Sequence, residues 1–94
     1  MTSNIRAVVI DDHPMFRDGV VRTLNSATSI QVVAQGENVQ DAIHLSQSLL
    51  PDIILLDISM PGGGIEAISI ITKASPVVKI VMLTASERDD DVMQ

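Results

Sequence analysis

The residues of this sequence that could do chemistry follow directly on apolar runs. Asp11 and Asp12 come after the run IRAVVI, Asp57 comes after IILL, and Thr84 comes after VVKIVML in a chain of 94 residues. A run of this kind leads into the protein interior, where an ionised carboxylate is costly unless it is paired or coordinated. The first question that the sequence poses is therefore what offsets the charge of Asp57.

The chemistry that suits three neighbouring carboxylates is metal binding followed by phosphoryl transfer. If Asp11, Asp12 and Asp57 meet, their charges repel strongly, and more so in surroundings of low dielectric constant. A divalent cation removes that repulsion, and a set of oxygen ligands that keeps several waters fits Mg²⁺. With the cation in place, one carboxylate becomes a usable nucleophile towards a phosphoryl group, whose transfer mainly needs positioning and charge neutralisation.

Each of these residues also has a structural interpretation when it is taken singly. Asp11 and Asp12 would cap a helix, and Asp57 would begin the turn at the Pro-Gly pair that follows it. Thr84 would be a strand-end hydroxyl or a local cap. The functional interpretation depends on their joint placement in the fold.

The elements that must position these side chains alternate between strands and helices. Apolar runs rich in Val and Ile recur about 25 residues apart, which is the length of one strand plus one helix with short loops. The runs begin at Ile5, Ile30, Ile53 and Val77. Helical spacing of apolar residues predicts a helix after each run. These helices extend from Pro14 to Asn25, from an N-cap at Asn38 to the residue before Pro51, from about Gly64 to Ala74, and onward from a cap at Ser86.

This order of elements, β-α-β-α-β-α-β-α with the last helix barely begun, predicts the fold class. Right-handed crossovers make it an α/β protein with an open, doubly wound parallel sheet and helices on both faces. Ligands of such sheets bind at the carboxyl ends of the strands, where the three acids and Thr84 would converge. No linker or low-complexity stretch interrupts residues 1–94, which are expected to form one domain.

Composition excludes several classes of function. The formal net charge is −6 and no Lys/Arg cluster exceeds two residues, so this segment is not expected to contact nucleic acid. There is no cysteine, and hence no disulfide framework or thiol chemistry. The N-terminal stretch has neither the pattern of a signal peptide nor the length of a membrane span, so a cytoplasmic location is expected. No Gly-Lys-Ser/Thr follows the three glycines at 62–64, which disfavours nucleotide binding.

Three stretches of the sequence together resemble the response-regulator receiver domains of two-component signalling. They read VVIDDHPMFRDGV, PDIILLDISMPGGGIEA and VKIVMLTAS, and they cover the chain from its start into the fourth helix. The DDHP motif followed by an apolar-basic helix most resembles the receivers of NarL/FixJ-type transcription factors. The resemblance implies a flavodoxin-like sheet with strand order 2-1-3-4, lacking the fifth strand and helix of a complete receiver.

The resemblance also implies a role for each acid. Asp57 would be the phosphoacceptor, modified by a histidine kinase. Asp12 and Asp57 would ligate Mg²⁺ directly, Asp11 would act through water, and the backbone carbonyl of Ser59 would complete the protein ligands. The protein would then be a phosphoacceptor and not a conventional enzyme, and it would control a transcription output domain that is not present in this chain.

The loops after the third and fourth strands receive further roles from the same resemblance. Thr84 would hydrogen-bond a phosphoryl oxygen, and the small Ala85 would leave room for the phosphoryl group. Met60 and Pro61 would shape the loop after the phosphoacceptor.

Two departures from the family pattern affect these expectations. The family places a glycine eight residues after the phosphoacceptor, whereas this chain has Ile65 there and Gly64 before it, so the loop looks one residue short. The chain also stops at Gln94, before the fifth strand and the lysine that follows it in the family. Phosphorylation is therefore expected to be poor. A homodimer or higher oligomer is expected through the exposed edge of the fourth strand or through apolar surface left uncovered beside the first helix.

Other interpretations of the sequence remain open. The alternative function is a non-phosphorylated interaction module that keeps the fold and works by dimerising. An aspartyl phosphatase fits less well, because Ile58 and Ser59 follow Asp57 where a second acid would be needed. His13 is interpreted as a surface or capping residue, with a phosphohistidine or metal-ligand role as the alternative; the only other histidine lies at no ligand spacing that would support the alternative. Met15 and Phe16 are predicted in or near the core, with a kinase-docking patch as the alternative.

Overall fold

The computed structural model describes residues 4–60 and 64–83, and these ranges contain four strands and three helices. The helices coincide with the predicted ones, and the fourth strand starts two residues later than Val77. The predicted fourth helix lies outside the described residues. The elements in chain order are β1 (Ile5–Ile10), α1 (Pro14–Asn25), β2 (Ile30–Gly36), α2 (Val39–Leu49), β3 (Ile53–Asp57), α3 (Gly64–Ala74) and β4 (Lys79–Leu83).

The four strands form one parallel sheet with the predicted order β2-β1-β3-β4. The chain moves from β1 to β2 in one direction and then from β2 through β3 to β4 in the other. Right-handed crossovers therefore place α1 on one face of the sheet and α2 with α3 on the other. The predicted open, doubly wound α/β architecture is confirmed.

The core lies between the sheet and the helices α2 and α3. Side chains alternate across a strand, so residues with even numbers in β1, β3 and β4 share this face. Aliphatic side chains fill it without any aromatic group. The buried members are Val8, Ile10, Ile54, Leu56, Met60, Val78, Ala42, Ala67 and Ile71.

Local hydrogen bonds define where the second helix begins and ends. The Asn38 side chain accepts a hydrogen bond from the backbone N–H of Asp41 at 2.8 Å, which confirms the predicted N-cap. At the other end Leu50 adopts a left-handed conformation with φ of 46°. The Arg6 guanidinium donates to the carbonyl oxygens of Leu49 and Leu50 at 2.8 and 3.1 Å. A cation at this end of the helix satisfies free carbonyls and complements the helix dipole.

The helix α1 buries none of its residues completely. Arg17, Val20, Val21 and Leu24, spaced as one helical stripe, are its half-buried residues. Met15 and Phe16 lie outside that stripe and are 89% and 44% exposed, so their prediction as core residues is wrong. Both side chains border a groove of about 400 Å³ on α1, which we call the α1 groove; its lining residues are Met15, Phe16, Gly19, Val20, Thr23 and Leu24.

None of the helices in the described part of the chain is long and apolar enough to cross a membrane.

Candidate phosphoacceptor and metal site

The pairing of β1 with β3 brings the predicted acids together at one edge of the sheet. Ile10 and Leu56 are register partners, so the residues that follow them leave the sheet side by side. The side chains of Asp11 and Asp57 are fully buried, and that of Asp12 is partly exposed. We call the cluster of Asp11, Asp12, His13 and Asp57 the acidic site, because one ligand atom from each lies within 4.8 Å of the others.

One oxygen of each carboxylate in the acidic site has no hydrogen-bond partner in the described structure. These oxygens are Asp11 Oδ2, Asp12 Oδ1 and Asp57 Oδ2, and all three are buried. Buried polar atoms are nearly always partnered, so such a group of unpartnered oxygens needs an explanation. Oxygen atoms of this charge and number are the ligands that Mg²⁺ prefers, and the residues present therefore fit the predicted cation.

The carboxylate of Asp11 is held by the turn that leads into α1. Its Oδ1 accepts a hydrogen bond from the backbone N–H of His13 at 2.8 Å and lies 3.2 Å from Nδ1 of the His13 ring. An Asp side chain that bonds to the backbone two residues later is a common turn-forming arrangement. The remaining oxygen, Oδ2, is left free for a ligand.

The carboxylate of Asp57 is held in the same way by the loop after β3. Its Oδ1 accepts hydrogen bonds from the backbone N–H of Ser59 at 2.9 Å and from the Ser59 hydroxyl at 2.6 Å. Ser59 therefore orients Asp57, a contribution that the sequence did not reveal, since only its backbone carbonyl was predicted to matter. The oxygen that remains free, Oδ2, faces the acidic site.

His13 is a surface residue, as its interpretation from the sequence expects, and it also belongs to the acidic site. Its Nδ1 lies 3.0 Å from Asp12 Oδ1, 3.2 Å from Asp11 Oδ1 and 3.9 Å from Asp57 Oδ2. The side chain is 64% exposed and makes no capping hydrogen bond to α1. Its position directly after the two acids is the signal in the sequence that points to this site.

Arg17 holds the end of β1 through backbone carbonyls and not through the carboxylates of the acidic site. Its guanidinium donates to the backbone carbonyl of Asp11 at 2.8 Å and to that of Gly36 at 3.4 Å. Among the described residues, His13 is the only basic group at ion-pair distance from the acidic site. The charge of the three carboxylates is thus not balanced by arginine or lysine within the described ranges.

The loop after Asp57 passes close to the first residue of α3. A Cβ atom at Gly64 would lie 2.9 Å from the Cα of Ile58 and 3.2 Å from the carbonyl oxygen of Asp57. Glycine is therefore needed at Gly64, while the next residue, Ile65, is exposed. Met60, predicted to shape this loop, is buried in the core.

Three of the predicted site residues, Pro61, Thr84 and Ala85, lie outside the described residues. The roles given to them stay predictions. The same holds for the metal-ligand roles of Asp11, Asp12, Asp57 and the Ser59 carbonyl.

Comparison with known proteins agrees with this combination of fold and site. Residues 7–94 match the family described as the response regulator receiver domain. The response regulator GacA of Pseudomonas aeruginosa is 38% identical over 86 residues, which are 90% of this chain and 40% of that protein. The nitrate/nitrite response regulator NarL of Escherichia coli is 40% identical over 87 residues, again 40% of its length.

A solved structure shows the same fold. The signal receiver domain of NarL from Mycobacterium tuberculosis superposes with a TM-score of 0.84 at 34% sequence identity, covering 97% of this chain and 74% of that one. The class of protein is thus an α/β receiver domain, and the chain belongs to the response regulator receiver domain family. It spans about 40% of the length of the curated relatives that it matches.

Proposed function

We propose that the chain accepts a phosphoryl group on Asp57 from the phosphohistidine of a sensor histidine kinase, in a reaction that requires Mg²⁺. The observation that carries this proposal is the free Oδ2 of a fully buried Asp57 beside two other carboxylates. An ionised acid with these surroundings is costly to bury unless it is paired or coordinates a cation. The family resemblance supplies the phosphohistidine donor, since the identified relatives are response regulators.

Each residue of the acidic site would have a distinct role in this reaction. Asp57 Oδ2 would attack the phosphorus atom, and the phosphorus–nitrogen bond of the donor would break with its electron pair passing to the imidazole nitrogen. Ser59 holds the other oxygen of Asp57, so that Oδ2 keeps its direction. Asp11 and Asp12 would bind Mg²⁺ with Asp57, and when bound the cation neutralises charge on the transferring phosphoryl group. Thr84 and Ala85 are proposed to contact that group.

The proposed role of the phosphorylated chain is to control a transcription output domain in the cytoplasm. The relatives GacA and NarL are response regulators more than twice as long as the matched region, so the output function belongs to the remainder of such proteins. Asp57 is proposed as a phosphoacceptor, not as the nucleophile of a hydrolytic enzyme.

The experiment is to incubate the chain with a small-molecule phosphodonor and Mg²⁺ and to measure its intact mass. We expect an added phosphoryl group that peptide mapping places on Asp57 and that chelation of Mg²⁺ abolishes. The variant Asp57→Asn should remain unmodified, whereas Asp18→Asn, which changes an exposed acid on α1, should behave as the wild type. Modification that persists in Asp57→Asn, or that appears without Mg²⁺, would refute the proposal.

A second candidate function is an interaction module that works by self-association without phosphorylation. The observation that favours it is the exposure of apolar side chains on β4, where Val81 and Met82 are 42% and 55% exposed. Within the described ranges β4 pairs only with β3, which leaves the backbone groups of its other edge available to a second copy. If phosphorylation of Asp57 leaves the oligomeric state unchanged, self-association does not depend on phosphorylation and the two functions are independent.

A further inference from the structure

The imidazole of His13 is the one feature of the acidic site that an oxygen-preferring cation does not explain. Mg²⁺ needs carboxylates, carbonyls and water, whereas imidazole is a ligand for zinc, copper and nickel. Yet His13 Nδ1 lies within 4 Å of two of the three unpartnered oxygens, at 3.0 Å from Asp12 Oδ1 and 3.9 Å from Asp57 Oδ2. The ring makes no capping hydrogen bond, and its local contact, at 3.2 Å, is with Asp11 Oδ1, which the His13 backbone N–H already satisfies. This local contact does not explain why the ring also lies beside the oxygens of Asp12 and Asp57.

These separations suit ligands of one transition-metal ion. Atoms bound at about 2.1 Å to a single ion lie about 3.0–3.4 Å from one another in octahedral or tetrahedral geometry. The distance from His13 Nδ1 to the unpartnered Asp12 Oδ1 is 3.0 Å, within this range, and the distance to the unpartnered Asp57 Oδ2 is 3.9 Å. One ligand atom from each of the four residues lies within 4.8 Å of the others. The buried, unpartnered Oδ2 atoms of Asp11 and Asp57 are an independent indication that the site takes a cation.

We infer that His13 is a fourth ligand that makes the acidic site bind a transition-metal dication such as Zn²⁺ or Cu²⁺ in competition with Mg²⁺. The inference rests on the cation site of the proposed function, but not on phosphorylation itself. A ligand set of three carboxylates and one imidazole favours these ions, because divalent first-row metals bind nitrogen more tightly towards the copper end of the series.

The chain offers a matched control, since His44 is the only other histidine and is exposed on α2. We compare the wild type, His13→Asn and His44→Asn; asparagine is a good helix N-cap, so His13→Asn keeps the start of α1 intact. Zn²⁺ and Mg²⁺ affinities are measured by calorimetry. Electron paramagnetic resonance spectra of the Cu²⁺-loaded proteins show whether an imidazole nitrogen is coupled to the metal. Thermal unfolding in the presence of a chelator verifies that all three proteins are folded.

We expect His13→Asn to weaken Zn²⁺ binding about tenfold or more. Its Mg²⁺ affinity should change by less than about twofold, since water replaces the nitrogen ligand readily around Mg²⁺. The Cu²⁺ spectrum should show imidazole nitrogen coupling in the wild type and His44→Asn, and should lose it in His13→Asn. Excess Mg²⁺ should displace Zn²⁺ from the wild type.

Equal Zn²⁺ affinity of the wild type and His13→Asn would overturn the inference, as would nitrogen coupling that disappears in His44→Asn instead. Either result would leave Mg²⁺ binding and phosphorylation of Asp57 untouched. A wild type that binds neither Mg²⁺ nor Zn²⁺ would overturn both this inference and the proposed function. Failure of the inference alone is thereby distinguished from failure of the proposed function.

Discussion

At the scale of single residues, Asp11 and Asp57 share one arrangement. Each uses Oδ1 to accept hydrogen bonds from a residue two positions later and leaves Oδ2 without a partner. The local turns therefore fix the direction of both carboxylates before any ligand arrives. Preorganised charge of this kind lowers the cost of binding, because little side-chain freedom is lost when the ligand binds. Asp12 differs, since it is partly exposed and forms neither of these turn hydrogen bonds.

The first prediction at this scale concerns the contribution of Asp12 to cation binding. A cation that binds only the folded chain stabilises it by about 2.7 kcal/mol at 100 times its dissociation constant. We expect Mg²⁺ to raise the thermal unfolding temperature of the wild type and not that of Asp12→Ala. Differential scanning calorimetry with and without Mg²⁺ measures the effect.

Two controls make this measurement specific. Asp18→Ala, which removes an exposed acid from α1, should retain the full Mg²⁺ effect. Without Mg²⁺, Asp12→Ala should be at least as stable as the wild type, since it removes one of three repelling charges. An unchanged Mg²⁺ effect in Asp12→Ala would contradict its assignment as a ligand.

At the scale of elements, the site depends on how strand ends are tied to the helices that follow. The Arg17 guanidinium on α1 joins the Asp11 carbonyl to the Gly36 carbonyl, and so connects the ends of β1 and β2. On the other side, Gly64 at the start of α3 lies against the backbone of Asp57 and Ile58. The position of Asp57 is thus set by α3 as well as by β3.

The prediction at this scale compares alanine substitutions at two helical glycines. In Gly64→Ala the new Cβ would meet backbone atoms of Ile58 and Asp57, which cannot move as a flexible side chain does. We expect a loss of about 1–3 kcal/mol in the free energy of unfolding, typical of overpacking. In Gly19→Ala nothing lies within 4 Å of the new Cβ, and the helix propensity of alanine should raise stability by up to about 1 kcal/mol.

Urea denaturation measures both changes, with Gly19→Ala as the matched control. Gly64→Ala should also reduce Mg²⁺ affinity, because the displaced backbone carries Asp57. A stability of Gly64→Ala equal to or above that of the wild type would show that the close approach to the Asp57 loop imposes no constraint.

The helices could be predicted from the sequence because their signals are local, whereas the strand order was implied by the family resemblance. Pro14 and Asn38 mark helix starts, and apolar periodicity defines the segments between them. The convergence of Asp11 and Asp57 followed from topology, since parallel strands bring their carboxyl ends together. The contacts of His13, Arg17 and Ser59 could not be predicted, because side-chain direction in a turn depends on tertiary geometry. The exposure of Met15 was missed for a similar reason: apolar spacing alone does not tell which side of α1 meets the sheet.

At the scale of the whole molecule, the two faces of the sheet are unlike. The helices α2 and α3 pack against one face and enclose the core, whereas α1 lies on the other face beside β1 and β2. Val9 is fully buried on the α1 face, but Val81, with the same parity on β4, is 42% exposed. The described part of the molecule therefore presents apolar surface along β4 and on α1.

The prediction at this scale is self-association through the β4 edge. We expect light scattering at micromolar concentration to give a dimer or larger species for the wild type. Val81→Lys should yield a monomer, because a charge on an edge strand opposes pairing with another chain. Gln31→Lys, an exposed position on the opposite edge strand β2, is the control and should still associate. A monomeric wild type, or dissociation by Gln31→Lys alone, would contradict an interface at β4.

The α1 groove has an optical consequence. Phe16, half exposed at its border, is the only aromatic residue, and the chain contains no tryptophan or tyrosine. The protein is consequently almost without near-ultraviolet absorbance or fluorescence of its own. In Phe16→Trp a single emitter would lie at the groove, and its spectrum would shift to shorter wavelength whenever an apolar surface excluded water from it. Because the chain has no other tryptophan or tyrosine, the emission of this variant would report on the surface of α1 alone.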